Sequence, residues 1–589
     1  MKLVIAEFLR TLKERDELDR LIPDLLIEMG YVPLAKPQTG NRQFGVDIAA
    51  RGKDPRSGNE ELLLAVIKQG NIGRTEWDGN DQAIRQSINE ILDVYLKSHV
   101  EPQDKGKHIH IVVVSNGELK QVVQAGWCGF IADIQSRASV EFWGIDYLAE
   151  LIETHMLDEH VFRDDDRREL RRALALSGDA DYDRRDLHRL FLRTLGMSST
   201  GELNAPPKTG KSLLKALRIV SFSAHAFASW ALSEGDAKQG LRGMERALTW
   251  SWHRIQLCDD STQKEAISES FGAIWQGYLA ACKNYFERVQ PHCYTEDALL
   301  GYGGDSSELA VIAFELIGTL ATIGLSQLLV APISETDLEK RFNRSRIVAD
   351  AMAALIFNNG ICSTPCFDRH SQDITLAIML LLFSERTDDA KSWLKKLVRN
   401  VDYSYKARKY VPISTDSLDD LPEESGWNEE QVSQRLMNSS WMLATLAGWT
   451  AILDESDLYE LLAKGCRESY PNVCVQLWHP DENLYKHLYF KEVQFDCGAS
   501  EAPIDLPAHA SAWRDHIRTI LASDQSTIAE ASPAARIGIP VLDLIAYRHF
   551  STPVAPVLWY RCVDALFPKN GQGVHGTDRE LEKTELERE

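Results

Sequence analysis

Apolar and polar positions follow different patterns along the chain and divide it into three regions. In residues 1–160, helical spacing of apolar residues is interspersed with short apolar or alternating runs typical of strands. From about Ser212 to Leu566 the apolar positions recur almost wholly at helical spacing. Residues 161–210 begin with dense charge and end in Ser, Thr, Gly and Pro, which indicates a linker. We therefore predict an α/β domain over 1–160 and a large all-α region beyond 210.

The α/β domain is predicted to hold helices and strands in the order α-β-β-α-β-α-β-α. Apolar residues from Leu18 to Met29 predict a first helix that Gly30 is placed to end, with a start or kink at Pro23. The continuous apolar run before Lys68 indicates a central strand that is buried on both faces. This order predicts a mixed sheet flanked by helices. Strands are expected over 44–50, 62–68, 108–114 and 140–143, and further helices over 83–96, 119–134 and 147–155.

The helical region is predicted to form two domains, 211–413 and 429–567, separated by a polar break over 414–428. The polar tail over 568–589 has no core pattern and is expected to be disordered. The most apolar stretch, 312–329, contains Glu315 and Gly318 and is interpreted as a buried helix pair rather than a membrane span. The start of the chain has no secretory segment, so we expect a cytoplasmic protein whose ten cysteines are reduced.

The overall charge argues against an unregulated nucleic-acid-binding protein. The formal net charge is −22, and a field of that sign repels phosphate at long range. A locally basic cleft or a basic partner remains compatible with it.

Asp47 and Lys68 are the candidate chemistry of the first domain. A metal-dependent phosphodiesterase needs carboxylates to hold a divalent cation and a positive group to stabilise developing charge. Asp47 lies on the first predicted strand and Lys68 ends the second. If the two strands form a hairpin, the two side chains can face one cleft. On spacing alone, such a pair is more often a solvated ion pair than a site.

The order of short motifs around this pair resembles the Mrr-type branch of the PD-(D/E)xK, or restriction-endonuclease-like, nucleases. The resemblance covers about residues 15–155 and rests on Asp19 in a helix, Gly30-Tyr31, Gly45-Val46-Asp47-Ile48 and Val66-Ile67-Lys68-Gln69. It implies that Asp47 binds the metal, Lys68 is catalytic, Asp19 is the helix acid and the Ile67 carbonyl is a further metal ligand. Gln69 and Gln86 are candidates to line the cleft in a supporting role.

Val66 departs from the pattern of that branch, in which the position two residues before the lysine is Glu, Asp or Gln. An isopropyl side chain cannot bind metal, so two alternatives stay open. Either the second acid comes from elsewhere, with Asp19, Glu28 and Glu90 as candidates, or the site is inactive.

Two other motifs are weaker. Residues 205–212, ending in Lys211 and Ser212, fit a relaxed P-loop, but no buried strand precedes them, and a linker leading into a helix is favoured. Cys362, Cys366 and His370, with His292-Cys293, have some likeness to a zinc site. Their spacing is looser than usual for zinc, and turn residues explain the stretch without metal.

The resemblance implies a Mg²⁺- or Mn²⁺-dependent DNA endonuclease in bacterial anti-phage defence. The helical region would sense a signal, oligomerise or bind a protein partner, and no membrane is implied. The alternative is a non-catalytic interaction scaffold that retains the nuclease fold, which Val66 favours. A second rival is a nucleotide-driven protein that uses Lys211 and Ser212.

Overall fold

The computed structural model describes most of the chain outside its two ends. The described residues are 18–35, 44–54, 58–80, 82–156, 164–179, 182–204, 210–258, 263–302, 304–330, 334–407, 412–415, 417–420, 435–481, 483–519 and 532–554, with single residues and pairs among 5–14, and 260 and 430. Two compact units are formed. One contains Met1–Leu195, Thr209–Ala247 and Thr262–Gly277, and the other contains Gly196–Lys208, Leu248–Ser261 and Tyr278–Glu589.

A five-stranded mixed sheet forms the centre of the N-terminal region. Its strands lie side by side in chain order: β1 Val32–Ala35, β2 Ile48–Lys53, β3 Glu60–Lys68, β4 His108–Ser115 and β5 Ser139–Trp143. β1, β2 and β3 pair antiparallel, whereas β3, β4 and β5 pair parallel. β3 is thus central, as its apolar run predicts, and it pairs antiparallel with β2, which is the hairpin on which the proximity of Asp47 and Lys68 depends.

The first unit also contains a series of helices. α1 (Asp19–Glu28) packs beside β1 and β2 and runs through Pro23 without ending there. The others are α2 (Arg74–Asp78), α3 (Ile84–Glu90, continued by turns to Ser98), α4 (Gln121–Ile134), α5 (Ile145–Leu151, continued to Met156), α6 (Asp164–Leu176), α7 (Arg185–Leu195) and α8 (Gly210–Ser233). α9 (Ala237–Gln256) and α10 (Lys264–Cys293) contribute residues to both units.

Two features of this region differ from the sequence prediction. β1 was not expected, because Pro33 lies within it and Val32 is largely exposed, as on an edge strand. The segment predicted to be a linker contains α6 and α7. Among their charged residues, apolar side chains at helical spacing are buried: Leu170, Ala173, Leu174, Leu187, Leu190 and Phe191.

The core on one face of the sheet explains why Val66 is apolar. Leu62, Leu64 and Val66 alternate along β3, so their side chains share one face of the sheet. They belong to one buried cluster with residues of α2, α3 and α4, including Trp77 and Ile88. The position at which the motif resemblance calls for an acid is thus occupied here by a packed core side chain.

The second unit is largely helical, and the described segments are α11 (Ser306–Leu328), α12 (Glu335–Asn358), α13 (His370–Phe383), α14 (Thr387–Ala407), α15 (Met442–Ile452), α16 (Ser456–Lys464), α17 (Leu484–His487), α18 (Pro533–Arg536) and α19 (Val541–Phe550). Two small sheets join β6 (Ser439–Ser440) to β7 (Cys474–Val475) and β8 (Leu477–Pro480) to β9 (Gly498–Glu501). The predicted break over 414–428 and the tail over 568–589 fall mostly or wholly outside the described residues.

By length and composition, α11 is long and apolar enough to cross a membrane, and 78% of its most apolar window is buried inside the protein. Such burial is typical of a core helix. The helix is continuous from Ser306 to Leu328, whereas the sequence had suggested a pair of helices there. The nine described cysteines are free thiols.

Candidate active site

Asp47 and Lys68 lie at the same edge of the sheet. β2 runs antiparallel to β3, so the start of β2 lies beside the end of β3. Asp47 immediately precedes β2, and Lys68 is the last residue of β3, where it pairs with Ser115 of β4. The antiparallel pairing of β2 and β3 therefore brings the two residues to one edge, and both are half-buried.

Hydrogen bonds to β3 hold the Asp47 carboxylate in place. The backbone N–H of Asp47 donates to the carbonyl of Ala65 at 2.9 Å. Its Oδ2 accepts the backbone N–H of Ile67 at 2.7 Å. The Asp47 carboxylate thus accepts a hydrogen bond from β3 one residue before Ile48, where the pairing of β2 with β3 ends. This contact fixes the carboxylate on a rigid element, as a catalytic or metal-binding acid requires.

Gly45 allows the chain to enter this position. Its φ is +80°, and a Cβ atom there would lie 2.2 Å from the backbone oxygen of Ser87 on α3. Only glycine combines this left-handed conformation with such a close approach. The Gly-x-Asp motif therefore has a physical cause, because Gly45 lets the backbone contact α3 and delivers Asp47 to the sheet edge.

A network around Asn116 anchors the N-terminal segment to the same edge. Asn116 follows β4, and its Oδ1 accepts the N–H of Gly70 at 2.7 Å. Its Nδ2 donates to the carbonyls of Leu9 and Leu12, at 2.8 and 2.7 Å. These contacts hold the segment that carries Glu14, whose Oε2 accepts the N–H of Gln69 at 3.3 Å.

Glu14 is therefore a candidate acid that the sequence analysis missed. It lies outside the motifs of the resemblance, and its position depends on the contacts of Asn116, more than 100 residues away in the chain. A survey of acids in the segment before α1 is the one sequence signal that would have included it.

The pKa of Asp47 is raised above its ordinary value. Burial is the largest cause, and the negative charges of Glu14 and Asp19 add to it. The Ile67 N–H and the Lys68 ammonium act in the opposite direction without cancelling the effect. A carboxylate near other acids and a lysine, with a perturbed pKa, is typical of functional sites.

The remaining predicted site residues occupy different surroundings. Gln69 and Gln86 are exposed, and Glu90 is half-buried at the end of α3. Glu28 forms an ion pair with Arg218 of α8 at 3.1 Å. Of the acids proposed to replace the missing one, Asp19 is thus the one that acts on Asp47 electrostatically, together with Glu14.

The structure describes part of the P-loop-like motif and the whole of the zinc-like motif. Lys211 and Ser212 lie in the first turn of α8, and residues 205–209 lie outside the described part of the chain. The thiols of Cys293, Cys362 and Cys366 lie near backbone carbonyls, to which they donate. Burial raises the pKa of each of these thiols to about 12, as is typical of cysteines in apolar surroundings.

The acids at the sheet edge are Asp47 and the two that act on it electrostatically, Glu14 and Asp19. Across the described residues, no three His, Cys, Asp or Glu side chains are grouped closely enough to form a metal cage. Mg²⁺, however, is usually held by one or two carboxylates and keeps several waters. Asp47 with Glu14 or Asp19 offers that number of carboxylates, and a cation there would counter the burial and the acidic neighbours that raise the pKa of Asp47.

Comparison with known proteins leaves the site to be interpreted from its geometry. No protein-family model matches the chain, and neither a curated protein nor a solved structure matches it.

Proposed function

We propose that the N-terminal region is a metal-dependent DNA endonuclease of the restriction-endonuclease-like type. The observation that carries this proposal is the convergence of Asp47 and Lys68 at one sheet edge, with Glu14 and Asp19 close enough to raise the pKa of Asp47. A mixed sheet with this hairpin, and the order of motifs along it, support the same class.

Each side chain has a distinct part in hydrolysis of the phosphodiester. Water attacks phosphorus and gives up a proton, one P–O bond breaks, and the leaving oxygen takes up a proton. Bound Mg²⁺ would supply Lewis-acid stabilisation of the phosphate charge and acidify a bound water. Asp47, with Glu14 or Asp19, holds the cation, and the Ile67 carbonyl is a further candidate ligand. The Lys68 ammonium orients the water or stabilises negative charge on the phosphate oxygens.

The burial of Val66 favours the second candidate, a non-catalytic scaffold that has kept the nuclease fold. With a core side chain at that position, the metal must rely on acids from the N-terminal segment and α1. The two candidates differ in whether Glu14 and Asp19 take over that role.

We further propose a bacterial defence role in the cytoplasm, in which the helical region senses a signal, oligomerises or binds a protein partner. The net charge of −22 suits a nuclease that stays off DNA until an assembly presents the substrate. Tight DNA binding by the isolated chain at physiological salt would contradict this regulatory part.

Nicking of supercoiled plasmid with Mg²⁺ or Mn²⁺ tests the proposal. Lys68→Ala is expected to lower the rate by about 10²–10³-fold, the usual loss when one electrostatic group is removed. Lys97→Ala is the control, because Lys97 is an exposed lysine of the same region and pairs only loosely with Asp93, at 3.9 Å. Equal rates for the two variants, or no metal-dependent nicking by the wild type, would favour the scaffold.

A further inference from the structure

A second polar cluster lies on the helical hairpin of α6 and α7, in the same unit as the sheet. One face of α6 carries Asp165, Arg168, Glu169 and Arg172, which are spaced three or four residues apart. One face of α7 carries Asp186, Arg189 and Arg193 at a similar spacing. These seven side chains line one cavity of about 260 Å³. The opposite faces of both helices are buried, so the charged faces point outward.

The acids of this cluster are mostly buried, whereas its arginines reach solvent. The side chain of Asp186 is 1% exposed and that of Glu169 is 14% exposed. The side chains of Arg168, Arg172 and Arg189 are 71%, 60% and 54% exposed. The accessible part of the lining is therefore made up of these guanidinium groups and of Asp165, which is 70% exposed and lies 3.5 Å from Arg168.

The buried acids orient the arginines. Asp186 accepts from Arg189 at 2.8 Å and pairs with Arg172 at 3.6 Å. Glu169 accepts from Arg193 at 2.7 Å and pairs with Arg189 at 3.8 Å. Each guanidinium carries five N–H donors, so contacts of this kind leave donors for an external acceptor. Guanidinium forks held in this way suit phosphate oxygens.

The size of the cavity limits the kind of ligand that it can bind. Pockets for whole drug-sized ligands are usually about 300–1,000 Å³ and mainly apolar, whereas this one is smaller and lined by charged groups. It suits a phosphate group presented by a larger molecule. We propose that the outward guanidinium groups of α6 and α7 bind the phosphate backbone of DNA, independently of its sequence. This inference rests on the proposed nuclease function, because it names a surface that holds the substrate.

The test measures binding of a fluorescent DNA duplex by anisotropy, in EDTA and at low salt, so that no cleavage is required. The double variant Arg168→Ala/Arg172→Ala is expected to bind at least about 10-fold more weakly. Its log–log salt slope should be less steep by about 1.8, because each phosphate contact contributes about 0.9. Asp186 keeps its hydrogen bond from Arg189 in this variant, so the fold is expected to be retained, which circular dichroism checks.

The matched control is Arg344→Ala/Arg346→Ala, which removes the same charge from two exposed arginines of α12. Its binding is expected to stay within about twofold of the wild type. Equal losses in both double variants, no loss in the α6 variant, or no DNA binding by the wild type at low salt would overturn the assignment. Loss of ATP binding in the α6 variant without loss of DNA binding would also overturn it and assign the cavity to nucleotides. Since EDTA removes catalysis, a failure of the nuclease proposal appears only in the nicking assay.

Discussion

A carboxylate lies at each end of β3, and the surroundings of the two carboxylates act on their charges in opposite ways. At the start of the strand, Glu61 is 2% exposed, and its Oε1 accepts the Tyr31 hydroxyl at 2.6 Å and contacts His110 Nδ1 at 3.1 Å. At the end of the strand, Asp47 lies beside Lys68 and within the field of two further acids. The charge of the first carboxylate is stabilised by its hydrogen-bond partners, whereas at the second, burial and two further acids outweigh Lys68 and the Ile67 N–H.

The pKa values express this difference. Burial alone would raise the pKa of Glu61, but hydrogen bonds with His110 and Tyr31 outweigh it, so the pKa is lowered. For Asp47, burial and the nearby acids prevail, so the pKa is raised. A group that stabilises the fold is expected to have a shift of the first kind. A shift of the second kind costs stability and is expected where a cation or substrate later compensates.

The largest expected effect tests whether position 66 belongs to the core or to the site. Val66→Glu would bury a carboxylate in the apolar cluster with Trp77, so we expect the free energy of unfolding to fall by about 3 kcal/mol or more. Val94→Glu is the control, because Val94 is 37% exposed and its replacement should cost about 0.5 kcal/mol or less. Urea denaturation measures both. A stable Val66→Glu variant with faster DNA cleavage would show that position 66 faces the site.

The second largest loss of stability is expected at Gly45, where the chain leads into Asp47. Gly45→Ala is expected to destabilise the protein by about 2–3 kcal/mol, because the left-handed φ and the contact with Ser87 both oppose a Cβ atom. Gly58→Ala is the matched control: its φ is +72°, but nothing lies within 4 Å of the added Cβ, so we expect about 1 kcal/mol. Denaturation midpoints compare the two. Equal losses would mean that the Gly45 contact does not constrain the sheet edge.

At the start of β3, Glu61→Gln is expected to lower the free energy of unfolding at pH 7 by about 1–2 kcal/mol, because His110 and Tyr31 lose a charged acceptor. The lowered pKa sets the pH dependence. The contribution of Glu61 is complete above the ordinary glutamate pKa and disappears as the pH falls through the lowered value. Thermal melts from pH 7 to pH 2 should therefore converge for the wild type and the variant. A difference in Tm that stays constant over this pH range would show that the charge of Glu61 is not the source of the stabilisation.

The smallest expected effect is a gain in stability, which we predict for Asp47→Asn. Asp47→Asn keeps an oxygen for the Ile67 N–H and removes a charge that burial and neighbouring acids disfavour. Because the pKa is raised, the wild type loses stability as the pH rises from the ordinary aspartate value through the raised one. The variant should not show this loss. At pH 7 we expect it to be more stable by about 1 kcal/mol, or about 2–4 °C in Tm. A lower Tm would show that the Asp47 charge stabilises the fold.

The central elements of the sheet were predictable because their signals are local. The apolar run ending at Lys68 and the Gly-x-Asp motif identified β3, its hairpin with β2 and the juxtaposition of Asp47 and Lys68. β1 was missed because a short edge strand with Pro33 has no such signal. The α6–α7 hairpin was missed because its dense charge obscured the apolar face. Glu14 was not predictable, since its position depends on Asn116 and on contacts between distant parts of the chain.

The most direct test of the account compares single-turnover cleavage of DNA by Asp47→Asn and Glu61→Gln, with rates normalised to folded protein. Asp47→Asn should fold at least as well as the wild type and cleave about 10²–10³-fold more slowly, as expected when one charged group of the site is lost. Glu61→Gln should be less stable and cleave at the wild-type rate. Unchanged cleavage by Asp47→Asn, or loss of cleavage in the Glu61 variant alone, would contradict the assignment of the active site to the Asp47 end of β3.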